Sequence, residues 1–448
     1  MRRIGFRKHL YKNMELATPI VLSQAGHITV NIADNIMIGQ VDVVSLAAAS
    51  FSNAIFFLSM MICIGFSFGL TPLTAAAEGE GNESAIGGLL RHSLLINISL
   101  AILMAFSLWQ LTQYLHLFEQ PAEVIRLAAP YLLINALSLI PFMLFQTGRE
   151  YTAGLSMTVQ AMIITLAANL INIGLNYVLI FGHLGFEPMG LNGAGYATFT
   201  ARTLMALGFV AFIAIHPRFA EHRKTFIGAI NFETARRILA IGGPAALQFT
   251  FEVSAFSMAA IMSGWLGTEP LAAHQIAINL SSFSYMFASG LAAAASIRVG
   301  NQFGKKDFPT LREVGLSNLV LSVMMMTGFA LIFIGFRYTL AGFYVDESEV
   351  IQLAGGLIVI ASIFQIPDGI QVVGLGILRG MTDVLYPTLY TLIAYWLLGL
   401  PAGYILGFEL GWGVNGIWTG LLIGLSSSAL LLFIRFRRQS KLAMLSTL

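Results

Sequence analysis

Apolar runs of membrane length follow one another from residue 17 to residue 434 of this 448-residue chain. A helix needs roughly 20 mainly apolar residues to cross a hydrocarbon core about 30 Å thick. On that template twelve spans are expected, at 17–38, 50–77, 92–115, 127–147, 158–181, 191–215, 238–264, 272–297, 314–337, 351–377, 385–407 and 415–434. Runs this continuous do not alternate as the strands of a membrane barrel must. Only 10% of residues are charged, against roughly 25% in a soluble domain. The expected fold class is therefore an all-α integral membrane protein. The basic start, MRRIGFRKHLYKNMELA, resembles the first part of a signal peptide. The apolar stretch after it is long, striped with polar residues and lacks a cleavage site, so a retained first helix is expected. The single cysteine, Cys63, lies in an apolar run, which leaves no intramolecular disulfide and no cysteine metal site.

The runs repeat. At a shift of 225, Pro19 pairs with Pro244, Ile36-Met37 with Ile261-Met262, Gly39 with Gly264, Gly65 with Gly290 and Gly79 with Gly304. Pro141, Gly148 and Gly154 answer to Pro367, Gly374 and Gly380 at a shift of 226. The chain reads as two copies of one unit, an N-lobe over 1–225 and a C-lobe over 226–448. With six spans each, the copies run in the same direction, the parallel-repeat plan of some secondary transporters. Lys and Arg set the orientation. Both termini and the loops on their side hold 21 of the 24, while the opposite loops hold only Arg126 and Arg337. Both termini are expected in the cytoplasm.

Three carboxylates fall inside spans: Asp34, Glu252 and Asp368. A charge at the middle of a membrane helix costs about 2.5–3.5 kcal/mol on insertion scales, which makes each a functional candidate. Each has polar company at helical spacing. Gln24, His27, Asn31 and Asp34 form one stripe, and Thr165, Asn169, Asn172 and Asn176 form another. Gln248 and Phe256 flank Glu252 by one turn, and Gln365 and Gln371 flank Asp368. The asparagines also fit plain interhelical bonding, worth about 0.6 kcal/mol each. The carboxylates do not, since Asn or Gln would join helices at lower cost. His27 and His274 read as structural histidines, while Arg202 either neutralises a nearby acid or lines water. Carboxyl and amide oxygens suit Na⁺, and a desolvated carboxylate suits H⁺; residue types leave both open. No phosphate-binding loop of the G-x-x-x-x-G-K-S/T type occurs, so ATP is not the direct energy source. No nucleophile elbow or HExxH occurs either, which argues against an enzyme.

These residues resemble the multidrug and toxic compound extrusion (MATE) family, in its NorM-type branch. The resemblance is carried by ELATPIVLSQ and IADNIMIG, NLINIGLNYVLIFG and GLNGAGYAT, PLAAHQIAINL through IRVGNQFGKKD, and IPDGIQVVGLGILRGMTDVLYPTL. It implies two six-helix lobes around a V-shaped cavity and export of amphipathic, often cationic compounds against entering Na⁺ or H⁺. It implies a C-lobe site for the cation or substrate at Glu252 and Asp368, to which Gln248, Phe256, Gln275, Tyr285 and Gln371 are assigned. It further implies an N-lobe cation site at Asp34, Asn172, Asn176 and Thr198, with Na⁺ a candidate at Glu252, Asp368 or Asp34. Some relatives carry aspartate where Asn176 stands. Pro19 and Pro244 are expected to bend their helices. The expected protein is a monomer in the bacterial inner membrane, with organic cations and lipid as partners, no nucleic acid and no cofactor beyond the coupling ion. The alternative is a flippase for lipid-linked oligosaccharide or peptidoglycan precursors from the same superfamily. Such relatives tend to carry extra helices or an arginine-lined cavity, and this chain has neither.

Overall fold

The computed structural model describes residues 5–445, so Arg2 and Arg3 of the basic start lie outside the described residues. In chain order the helices are α1 (Phe6–Gly39), α2 (Val43–Ser67), α3 (Leu70–Glu80), α4 (Glu83–Thr112), α5 (Ala122–Gly154), α6 (Val159–Phe181), α7 (Gly190–Ile215) and α8 (Ala220–Phe226). There follow α9 (Phe232–Trp265), α10 (Thr268–Gly304), α11 (Phe308–Gly342), α12 (Ser348–Gly380), α13 (Leu385–Leu392), α14 (Leu400–Tyr404) and α15 (Val414–Leu445). Wide π turns at Ile393–Gly399 and Ile405–Glu409 continue α13 and α14. Eleven helical segments among the described residues are long and apolar enough to cross a membrane, with α2 and α3 counted as one. The 34-residue α1 is not among them; its charged start and its polar stripe dilute its apolar run.

Local chemistry explains where the helices begin and stop. Asp42 caps α2 by accepting from the Ser45 backbone N–H at 2.6 Å, and Asn82 caps α4 by accepting from Ala85 N–H at 3.1 Å. Asp307 does the same for α11 through Thr310 N–H at 3.2 Å. Such caps satisfy backbone donors that helix geometry leaves unpaired. At the end of α6, Gly182 takes φ +78° and a Cβ there would strike the Pro188 ring. Only glycine meets both demands.

The chain forms two compact units. One is Leu22–Ala246; the other joins the chain up to Val21 with Leu247–Leu448. The cut differs from the halves 1–225 and 226–448, and the contacts give the reason. Ile238 and Ala246 pack with Phe66, Leu70 and Tyr151 of the first unit. Arg298 of the second donates to the His9 carbonyl at 2.9 Å, and Asn13 donates to Ser317 at 3.0 Å. In both α1 and α9 the change of unit comes just after the proline, Pro19 or Pro244. Both helices keep their helical pattern through the proline.

Within Leu22–Ala246, α5 is the central helix, packed against α2, α3, α4 and α7. Leu132, Leu139, Met143 and Phe145 fill its core side, together with Phe209 of α7. Within the other unit α12 plays that part among α10, α11 and α15. Leu375, Ile377 and Leu378 of α12 pack there with Leu311 and Phe436. In lipid, packing contact rather than the hydrophobic effect holds helices together, so small residues matter. Gly399, Gly403 and Gly407 face Gly416, Gly420 and Gly424 of α15, and a Cβ on Gly420 would fall on the backbone N and Cα of Gly403. The two backbones are in direct contact.

Candidate functional site

In the unit containing Leu247–Leu448, α9 supplies Glu252 and α12 supplies Asp368 and Gln371. Glu252 is 6% exposed and Asp368 4%. Pro367 lacks an N–H, which leaves a carbonyl of the preceding turn of α12 without its usual donor. The Gln371 amide donates from Nε2 to Glu252 Oε1 at 3.5 Å. The Tyr395 hydroxyl donates to Gln371 Oε1 at 2.7 Å. Glu252 and Asp368 act on one another through space, and the half-buried Tyr285 of α10 lies within electrostatic reach of both. Gln248 is buried one turn before Glu252. Phe256, one turn after it, packs its ring 5.7 Å from Tyr395 and 6.1 Å from Phe364. The oxygens of two buried carboxylates and the nearby aromatic faces can together take a small cation or the charged end of an organic one.

Gln275 does not join this group: it is exposed on α10 and donates to Asn279 at 3.2 Å. His274 accepts at Nδ1 from the buried Trp418 indole at 3.1 Å, which matches the structural role expected of it. The sequence reading missed Tyr395. Its signal is a π turn inside a membrane helix, a feature frequent at functional sites but silent in residue type.

In Leu22–Ala246, Asp34 of α1 meets α6. Asn176 Nδ2 donates to Asp34 Oδ1, and Asn176 also donates to Asn172 Oδ1 at 3.2 Å. Asn172 in turn donates to the Thr198 hydroxyl of α7 at 3.5 Å. With its amide turned over, Asn172 donates instead to Asp34 at 3.1 Å and accepts from Thr198 N–H at 3.3 Å. Either way the four residues assigned to the N-lobe form one hydrogen-bonded chain. Arg202, one turn past Thr198, donates to the Ser138 hydroxyl at 2.6 Å. Its guanidinium lies 5.1 Å from the Phe56 ring centre and 5.2 Å from that of Phe142. It acts on Asp34 through space rather than by a direct ion pair.

A third buried acid, Glu150, lies beyond the fourth expected span, which ends at 147. The structure continues α5 to Gly154 and buries Glu150 to 6% exposure. Arg149 and Glu150 form an ion pair at 3.0 Å, which lets both charges stay in the helix. Among the described residues no group of three or more His, Cys, Asp or Glu is placed to hold a metal ion.

The model of the MatE family matches this chain twice, over residues 19–178 and 244–405. The matches begin at the two prolines that open the sequence repeat. A probable multidrug resistance protein NorM from Rhizobium meliloti is 32% identical over 438 residues, covering 96% of this chain and 93% of that protein. The multidrug resistance protein NorM of Photobacterium profundum is 31% identical over 442 residues, covering 97% and 96%. Among solved structures, the eukaryotic MATE transporter AtDTX14 superposes with a TM-score of 0.87 at 19% identity, covering 99% of this chain and all 100% of that one. A mutant of the Vibrio cholerae MATE transporter VcmN gives 0.87 at 19% identity, covering 97% and 98%. Those two likenesses speak for the all-helical fold. With the doubled family match and relatives this similar over nearly their whole length, the chain belongs to the MATE family.

Proposed function

We propose that this protein is a multidrug exporter of the bacterial inner membrane that moves amphipathic, often cationic compounds out of the cell in exchange for entering Na⁺ or H⁺. The observation that carries the reading is the pair of buried carboxylates, Glu252 and Asp368, held on facing helices with Gln371 between Glu252 and Tyr395. Buried acids of this kind are costly unless a cation or proton visits them. The names of the NorM relatives support drug export. In this reading the repeat gives two like-oriented six-helix lobes that work by alternating access, with both termini cytoplasmic and the protein active as a monomer. Glu252 and Asp368, with Gln248, Phe256, Tyr285 and Gln371, form the C-lobe site; Asp34, Asn172, Asn176 and Thr198 form the N-lobe cation site. Pro19 and Pro244 bend their helices during the cycle.

The test is export of a fluorescent organic cation from proteoliposomes, with Na⁺ and pH gradients imposed separately. One of the two gradients should drive export by the wild type. Glu252→Gln and Asp368→Asn should each insert and fold yet lose at least about 90% of the driven rate, since removing an interaction needed in every cycle costs more than the ~1.4 kcal/mol that a factor of ten represents. Parent rates in both variants would make these acids structural.

A further inference from the structure

We infer that Tyr395 is a positioning residue for cation binding: it holds the Gln371 amide so that nitrogen, not oxygen, faces Glu252. The inference rests on the reading of Glu252 as a cation site. A glutamine side chain ends in one acceptor and one donor group, and which end faces a neighbour decides what the site can bind. A carboxylate that receives an N–H has one oxygen already engaged. A carboxylate beside an amide oxygen offers a cation two ligands.

In this protein the choice is shared by the Glu252 carboxylate, which when ionised only accepts, and the hydroxyl hydrogen of Tyr395. The Tyr395 side chain is fully buried, with 0% exposure, and its hydroxyl lies 2.7 Å from Gln371 Oε1. That bond takes the amide oxygen and leaves Nε2 toward Glu252 Oε1 at 3.5 Å. The long second bond leaves the carboxylate only weakly engaged, so a cation competes with it at small cost. The backbone around Tyr395 explains how a tyrosine from the following helix reaches this point. It sits in the π turn Ile393–Gly399, which carries one more residue per hydrogen bond than an α turn and so displaces its side chains from the α register. Behind the turn, Gly399 lies against Gly420 and Gly424 of α15, with no side chain to fill the gap. The helix cannot rotate back without separating those backbones. In front, the ring packs against Phe256 at 5.7 Å. Tyr395 therefore touches Gln371 and Phe256, and its hydrogen-bonded link to Glu252 runs through the amide.

Three consequences separate this role from plain packing. In Tyr395→Phe the amide is free to turn and offer its oxygen, so the variant should bind Na⁺ more tightly than the wild type, about fivefold on the scale of one buried hydrogen bond. Gln371→Leu removes the competing N–H and should also tighten binding. In the Gln371→Leu background, Tyr395→Phe should change nothing further, because its effect passes through the amide. The measurement is binding of radioactive Na⁺ to the purified full-length protein at fixed pH, with K⁺ as the background ion. Equal or weaker Na⁺ binding in Tyr395→Phe, no Na⁺ binding by either protein, or a further shift in the double variant would each overturn the inference. If Tyr395→Phe does not fold, Gln371→Leu alone decides, and binding no tighter than wild type overturns it. The functional reading fails separately, through wild-type export that responds to neither ion gradient.

Discussion

The Thr71 hydroxyl donates to Glu150 Oε2 at 2.6 Å, tying the start of α3 to the end of α5. Gln146 Nε2 adds a second bond to the same carboxylate at 3.0 Å and also donates to Ser67 at 3.1 Å. The cluster sits where α2 and α3 break at Phe68–Gly69. At the matching positions of the other half, α10 runs unbroken and Gly376 packs on the Ala292 backbone. The polar cluster thus anchors a helix break that the second copy lacks. Glu150→Ala should lower the thermal stability of the detergent-purified protein by about 1–3 kcal/mol, the cost of leaving buried donors unpaired. Thr71→Val should cost less, and the double variant less than the two together. Additive losses in a thermal unfolding series would show that the two residues act apart.

The helices were legible because apolar runs of about 20 residues admit few other structures. Glu150 was not, because Gly148 followed by two charged residues looks like a loop; only the Arg149–Glu150 pair and the Thr71 bond show why the helix continues. Asp34 and Asn176 were chosen by helical spacing and family pattern, and the structure bonds them to each other. Gln275 was assigned with the C-lobe site of the resemblance, yet it is exposed on α10 and bonds to Asn279. The unit boundaries depend on bonds such as Arg298 to His9, which join residues 289 positions apart. Nothing local announces such a contact.

Arg202 offers a second test. A guanidinium between two phenyl faces uses its planar shape as well as its charge, and lysine reproduces only the charge. Arg202→Lys should therefore destabilise the protein by about 1 kcal/mol, within the range of buried cation–π contacts. Phe142→Leu should remove part of the same interaction and so should cost less in the Arg202→Lys background. The readout is the midpoint of thermal unfolding in detergent for the four proteins of the cycle.

The glycine contact between α14 and α15 gives a positional contrast. A Cβ at Gly420 meets backbone atoms of Gly403, while a Cβ at Gly243 meets nothing within 4 Å. Backbone cannot rotate aside as a side chain can. Gly420→Ala should cost about 1–3 kcal/mol, the usual range for overpacking, and should lower the fraction eluting as folded monodisperse protein. Gly243→Ala should elute like the wild type.

The last prediction concerns acid and the first turns of α1. Arg298 Nη2 lies 2.8 Å from His9 Nδ1. Arginine can only donate, so Nδ1 must accept, and the ring is neutral with its proton on Nε2. Burial, and then the Arg298 charge, push the His9 pKa below its ordinary value of 6.5, with Lys12 adding to the shift. Glu313, whose carboxylate lies 3.8 Å from Nε2, opposes it. A histidine with a lowered folded-state pKa binds fewer protons folded than unfolded over the window between the two values, so stability rises with pH there. The docking of residues 6–16 on α10 and α11 should be complete above pH 6.5. It should weaken as pH falls below that value, and level off once the folded ring also takes a proton. Backbone hydrogen exchange over 6–16, corrected for the intrinsic pH dependence, should show protection falling between pH 7.5 and pH 5, about one unit above and 1.5 units below that reference. His9→Gln presents an oxygen to Arg298 without titrating, so its protection should stay level across the same range. Equal pH dependence in both proteins would assign the effect to a group other than His9.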